Sequence, residues 1–185
     1  MLFDFRKGRT LMQPIVIDDV AVDIVSSYKY LGITIDEKLS FAHHVLNQVK
    51  KANKRVYCIR SMKKLHVDVD IMTTYFNACI PPLLMYAGVG FYGMLTKRLK
   101  HDLDKPRRVC GRVLGVPSSS LNDNDAIYKQ CMEHLTNAIR SDPRHPMNNE
   151  YNMLPSGRRL RACFARTVRF KNTFIPSSIR ICNNS

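Results

Sequence analysis

The sequence predicts an α+β fold, mainly α: a short N-terminal antiparallel β element over 1–37, a helical bundle over 38–142 and an irregular basic tail over 143–185. Three observations predict it. β-branched and aromatic residues cluster in short runs before residue 37. From Ser40 onward apolar residues recur every three or four positions. Beyond Asp142-Pro143 the periodicity fades and the chain turns polar and basic. With 185 residues, 45% of them hydrophobic, the chain can bury a core of one domain or slightly more.

The β element begins with Leu2-Phe3-Asp4-Phe5, a strand without a lead-in, as expected of a chain that enters a sheet midway. Gly8 and Pro14 bracket a loop. Ile15-Val16-Ile17 and Val20 to Val25 read as strands joined by a tight turn at Asp18-Asp19, and Tyr28 to Ile35 as a further strand region.

Phe41, Val45, Val49, Ala52, Val56, Ile59 and Met62 then form one apolar stripe of an amphipathic helix, with Ser40 as its N-cap. Lys50, Lys51, Lys54, Arg55, Lys63 and Lys64 fall mostly off that stripe, so the helix offers a core face and a cationic face. A membrane-surface helix would share the charge but carry a bulkier, more aromatic apolar face. A second helix starts near Asp68 or Asp70 and runs through Tyr75-Phe76 to Ile80, where Pro81-Pro82 removes two backbone donors and breaks or kinks it.

Leu83 to Tyr92 is nearly uncharged and reads as the buried centre of the bundle. Thr96 caps a third helix carrying Leu99, Leu103, Cys110 and Val113, kinked at Pro106 and ended by Gly115. Asn122 or Asp123 caps a fourth, with Ile127, Cys131, Leu135 and Ile139 as its apolar stripe. In the tail, Arg158, Arg159, Arg161, Arg166, Arg169 and Lys171 alternate with Phe164, Phe170 and Phe174. Arginine with aromatics grips single-stranded nucleic acid through phosphate pairing and base stacking. The competing reading has the phenylalanines anchor the tail while the arginines stay in water.

Charge is the loudest signal. The net is +14, with a pI near 9.8, which points to a polyanion partner. Lys plus Arg against Asp plus Glu runs 4 to 6 over 1–37, 8 to 0 over 38–66 and 0 to 2 over 67–93. It then runs 7 to 2 over 94–115, 2 to 4 over 116–142 and 8 to 1 over 143–185. Any single basic block can be a solvated helix face. Three separated blocks favour a polyanion over uniform supercharging.

Six cysteines stand far apart with no CxxC pair, which reads as free thiols in a reducing compartment, cytoplasmic or nuclear. No apolar run approaches membrane-spanning length, and the first residues lack the apolar run of a secretory signal. No membrane partner is expected.

Taken in order, several blocks resemble the region downstream of the catalytic motif in reverse transcriptases of LINE-type (non-LTR) retrotransposons. They are Asp4-Phe5-Arg6-Lys7, Ile15-Val16-Ile17-Asp18, and Val25 through Tyr30-Leu31-Gly32 to Asp36. Val49-Lys50-Lys51-Ala52, Arg55-Val56-Tyr57 and Tyr86-Ala87-Gly88 follow. Asp142-Pro143-Arg144-His145-Pro146, Ser156-Gly157-Arg158-Arg159 and Arg169 to Pro176 complete the series. The resemblance implies that Tyr30-Leu31-Gly32 corresponds to the primer grip at the palm's edge. It makes the following helices the thumb that holds a template–primer duplex, and the rest the polypeptide's C-terminal tail. In that family the metal-binding aspartates of polymerisation belong to a tyrosine-x-aspartate-aspartate turn and an earlier strand, both upstream of this region. Neither occurs in this sequence, so no enzyme activity is expected, and the missing palm and fingers become a candidate partner. The family often has a tryptophan near Tyr92, which this chain lacks, and Pro82 and Pro106 stand where helical residues are expected.

Other readings compete. Asp18-Asp19 fits a turn, and Asp68 and Asp70 fit helix capping, better than catalysis. His66-Val67-Asp68 matches half of the iron site of 2-oxoglutarate dioxygenases, with His145 as a distant third ligand. The block up to about Lys64 also resembles a segment associated with the N-terminus of AlkB-type tRNA-modifying enzymes. Cys131 and His134 have metal-ligand spacing, but Cys131 on an apolar stripe reads as a core thiol. A translated retroelement remnant without function is the remaining alternative.

The sequence thus predicts sequence-tolerant binding of RNA or RNA–DNA hybrid. Lys50, Lys51, Lys54, Arg55, Lys63 and Lys64 would meet phosphates, assisted by Arg158, Arg159 and Arg161, with no metal or cofactor. It also predicts uncovered apolar surface near Tyr28, Tyr30 and Ile33.

Overall fold

Two short antiparallel hairpins precede the helices in the computed structural model, which describes residues 15–184. The expected Leu2–Phe5 strand, the Asp4-Phe5-Arg6-Lys7 block and the Gly8–Pro14 loop lie outside the described residues. The described residues divide into two compact units, parted between His44 and Val45.

In the first unit β1 (Val16–Ile17) pairs with β2 (Val20–Ala21) across Asp18-Asp19. Both aspartates have positive φ, 48° and 61°, as a two-residue turn matched to strand twist requires. The second hairpin pairs β3 (Ser27–Tyr30) with β4 (Ile33–Asp36), so Tyr28 faces Ile35 and Tyr30 faces Ile33. Leu31 and Gly32 make its turn, at φ 45° and 85°. The strands leave Val16, Ile17, Val20, Tyr28 and Tyr30 exposed, and Ile33 only half-buried.

The Asp36 carboxylate closes this unit. It accepts from the backbone N–H of Ser40 and of Phe41, both at 2.9 Å, and from the Ser40 hydroxyl. The Ser40 hydroxyl oxygen in turn accepts from the N–H of Ala42, where the helix begins. Ser40, expected at the N-cap, thus lies one residue before that position, which Phe41 holds. Partial burial raises the Asp36 pKa, but the bonds from Phe41 and Ser40 outweigh it, and the net shift is downward.

Helix α1 spans Ala42–Lys64 and buries Val45, Ala52, Val56 and Ile59, with Val49 and Met62 half-buried. It ends at His66, whose φ of 55° carries the chain out of the helix. His66 N–H donates to the Lys63 carbonyl and Val67 N–H to that of Met62, the paired bonds of a Schellman stop. Asp68 then caps α2 (Val69–Cys79) by accepting from Asp70 N–H at 2.7 Å.

The two prolines start a new turn as well as ending the old one. Pro81 and Pro82 occupy the first positions of α3 (Pro81–Leu84), where no N–H is needed. A short α4 (Gly88–Phe91) and a 3₁₀ turn at Tyr92–Met94 follow. Leu84, Phe91, Tyr92 and Leu95 are buried, whereas Tyr86 is exposed, so Leu83–Tyr92 is only partly the buried centre that its composition suggested.

Thr96 caps α5 (Lys97–Leu114) by accepting from Leu99 N–H, and Gly115, at φ 77°, ends it. Pro106 lies buried within α5, at the cost of one backbone hydrogen bond. Asp123 caps α6 (Asn124–Ser141). The buried face of α6 is Tyr128, Met132, Thr136 and Ile139. This corrects the expected stripe: Leu135 and Cys131 are exposed, so Cys131 is no core thiol.

The mainly α class of α+β fold holds, but the tail after Pro143 is less irregular than expected. It contains α7 (Val168–Lys171) and α8 (Phe174–Asn184), and α8 packs on α6. Ile139, Tyr151, Leu160 and Ile179 form a core there, with Phe174 and Cys182 packed against it. The Tyr151 and Ser178 hydroxyls hydrogen-bond at 2.9 Å inside it.

Candidate nucleic-acid interface

An α-helix turns about 100° per residue, so side chains spaced by three, four or seven share one side. Lys50, Lys54, Tyr57 and Lys64 follow that spacing and lie opposite Ala52, Val56 and Ile59. All four are exposed, Tyr57 at 68%. Lys51 and Arg60 flank this side and are also exposed. Among the described residues none of Lys50, Lys51, Lys54 or Lys64 is in an ion pair. A row of unneutralised cations with an exposed ring can meet phosphates and offer a stacking surface.

Two expected members of this set do different work. Arg55 is half-buried and donates through Nη1 to the backbone carbonyl of Cys79, tying α1 to the last residue of α2. That bond commits part of its guanidinium to the fold. Lys63 is exposed but lies on the core-facing azimuth, in the last turn, where a cation complements the helix dipole. Tyr57 and Arg60 are the residues that the sequence reading left out. The signal for Tyr57 was its three-residue step from Lys54.

The tail arginines sit on a loop pinned at its base. Met153 bridges Leu160, Leu154 N–H donates to the Arg159 carbonyl, and Gly157 turns the loop at φ 67°. Leu160 points into the core, and both its backbone groups are held by the Asn183 side chain of α8, at 2.8 and 3.1 Å. Arg158, Arg159 and Arg161 are thereby exposed around a fixed anchor. The phenylalanines divide between the two readings: Phe174 is packed, Phe164 is 84% exposed and Phe170 47%.

The middle basic block, 94–115, is largely neutralised. In α5, Lys105 pairs with Asp102 at 2.7 Å and Arg107 with Asp104 at 2.6 Å. Arg108 also reaches Asp104, Arg107 reaches Asp123 and Lys100 reaches Asp125. Four of the seven cations in 94–115 therefore face acids of the same chain, and this block is not carried into the interface.

Tyr30, Leu31 and Gly32 sit together at the tip of the second hairpin, in the first unit, all exposed. The His66-Val67-Asp68 triplet is accounted for by the stop of α1 and the cap of α2. The ring of His145 accepts from Met147 N–H through Nδ1 at 3.1 Å. Among the described residues no group of three His, Cys, Asp or Glu gathers as for a metal ion, and no helix is long and apolar enough to cross a membrane. All six cysteines are free, and burial pushes the Cys110 thiol up to about 12.

No family model matches the chain, and no solved structure matches it. Over 97 residues, 51% of this chain, the sequence is 28% identical to a probable RNA-directed DNA polymerase from transposon BS of Drosophila melanogaster. The matched stretch covers 11% of that relative's length. Half of the chain is thus similar to a short segment of a transposon reverse transcriptase.

Proposed function

We propose that the chain is a segment of a LINE-type reverse transcriptase that binds RNA or RNA–DNA duplex through the phosphate backbone and does not itself polymerise. The observation that carries this reading is the exposed side of α1, where Lys50, Lys54 and Lys64 accompany Tyr57 without acidic partners among the described residues. Lys51, Arg60 and the Arg158–Arg161 loop add further phosphate contacts. The Tyr30-Leu31-Gly32 tip takes the primer-grip place at the edge of a palm, 38–142 acts as a thumb, and 143–185 extends it. The palm and fingers of such a polymerase are the natural protein partner. Six free thiols suit the cytoplasm or nucleus.

Backbone binding is indifferent to sequence, so two RNA–DNA hybrids of unrelated sequence should bind alike in fluorescence anisotropy. A primed RNA template with magnesium and nucleotides should not be extended. Absence of binding at low salt would remove the proposal, and primer extension would remove its non-catalytic part.

A further inference from the structure

A cavity of about 460 Å³ opens between the start of α5, the first turns of α6 and α8. That volume falls in the roughly 300–1,000 Å³ range of small-ligand sites. Its wall carries Lys97, Lys100, Lys129 and Arg180 against one acid, Asp125. Lys100 already serves Asp125, at 3.6 Å, and lies 4.2 Å above the Tyr92 ring. Lys97 and Lys129 are in no ion pair among the described residues.

Arg180 is preset. Its Nη2 donates to the Lys171 carbonyl at 2.8 Å, to Ser177 Oγ at 3.1 Å and to Asn172 Oδ1 at 3.3 Å. With one nitrogen committed to these acceptors, the other edge of the planar guanidinium can receive an anion at little entropic cost. The floor is equally fixed. At Gly93 a Cβ would lie 2.6 Å from Tyr128 Oη and 2.7 Å from the Asn172 carbonyl oxygen, so the 3₁₀ turn is pressed against α6 and the residue that closes α7.

We infer that this cleft binds the phosphate of a nucleotide-sized phosphomonoester. Three cations beyond the one held by Asp125 line a concave, nucleotide-sized space, and a dianionic phosphate matches them in charge. Such a group occurs on free nucleotides and at the 5′ end of a nucleic-acid strand. The site stands apart from the exposed side of α1 and does not depend on the reading proposed for it.

Calorimetric titration of the 185-residue chain tests this. AMP and inorganic pyrophosphate should bind with Kd of about 1 mM or tighter, and adenosine should not bind measurably. The double substitution Lys97→Glu with Lys129→Glu, both exposed, should weaken AMP at least about tenfold. Arg180→Gln should do the same, and its thermal unfolding would reveal any loss of fold. Lys50→Glu with Lys54→Glu and Lys64→Glu should leave AMP binding unchanged, which separates this site from the duplex interface. A 5′-phosphorylated RNA that binds more tightly than its 5′-hydroxyl twin would support the site with the strand end as its source. Equal binding of the two RNAs alongside AMP binding would support it with the free nucleotide as the source. Adenosine binding as well as AMP, no binding of either phosphate compound, or an unaffected lysine double variant would overturn the inference.

Discussion

The guanidinium of Arg55 donates to the backbone carbonyl of Cys79, while its chain neighbour Lys54, about 100° away around α1, is exposed and pairs with no acid among the described residues. Two adjacent cations thus divide between structure and surface. A charged donor on a helix's last carbonyls satisfies an acceptor that the helix leaves open and complements its dipole.

Arg55→Ala should therefore destabilise the chain by about 1.5–3 kcal/mol, the range for a hydrogen bond to a charged group. Lys54→Ala should stay within about 0.5 kcal/mol. Urea unfolding of both variants checks this. Equal losses would mean that the contact to Cys79 does not hold α1 against α2.

Asp36 makes stability depend on acid. Its folded pKa lies below the ordinary 3.8, so the unfolded chain takes up the proton first as pH falls. The contribution is present above the unfolded value and is lost as pH drops through the folded one. Asp36→Asn should cost about 1 kcal/mol at neutral pH. The difference from the parent should shrink as pH falls below 3.8. A difference constant from neutral pH to strong acid would contradict the clamp on Ser40 and Phe41.

Two neighbouring glycines should respond in opposite directions. Gly93→Ala places its methyl against Tyr128 Oη and a backbone carbonyl, and overpacking of this kind costs about 1–3 kcal/mol. At Gly90, in α4, nothing among the described residues beyond its chain neighbours and its own helix backbone lies within 4 Å of the added carbon. Alanine there should be neutral or stabilising by up to about 1 kcal/mol. Thermal unfolding of the pair decides it; two variants of equal stability would mean that the 3₁₀ turn can move away.

What the sequence revealed were features set by neighbours along the chain. The caps Asp68, Thr96 and Asp123, the Asp18-Asp19 turn and the Gly115 stop are local chemistry, and each stands where its residue type pointed. The buried side of α6 was not legible, because Ile127–Cys131–Leu135 and Tyr128–Met132–Thr136 are adjacent rows with the same spacing. Packing chose the second row: the Tyr92 ring lies 5.1 Å from Tyr128, and α8 covers the later turns. The core of the tail joins Ile139, Tyr151, Leu160 and Ile179, too far apart in sequence for any periodicity to expose.

The candidate interface divides the same way. The exposure of the α1 lysines follows from helical spacing alone. The neutralisation of α5 is legible only in part: Lys105–Asp102, Arg107–Asp104 and Arg108–Asp104 have helical spacing, whereas Arg107 meets Asp123 and Lys100 meets Asp125 only after α6 folds alongside. The bond from Arg55 to the Cys79 carbonyl is hidden for a similar reason, since that acceptor lies 24 residues away.

Salt dependence of binding to an RNA–DNA hybrid tests the central claim most directly, for the parent and for the triple variant Lys50→Glu, Lys54→Glu, Lys64→Glu. Each phosphate contact contributes roughly 0.7–0.9 to the slope of log affinity against log salt concentration. The parent should weaken steeply as salt rises, and the variant's slope should be shallower by about 2–3. Binding that ignores salt, or a variant with the parent's slope and affinity, would contradict the assignment of the exposed side of α1 to the phosphate backbone.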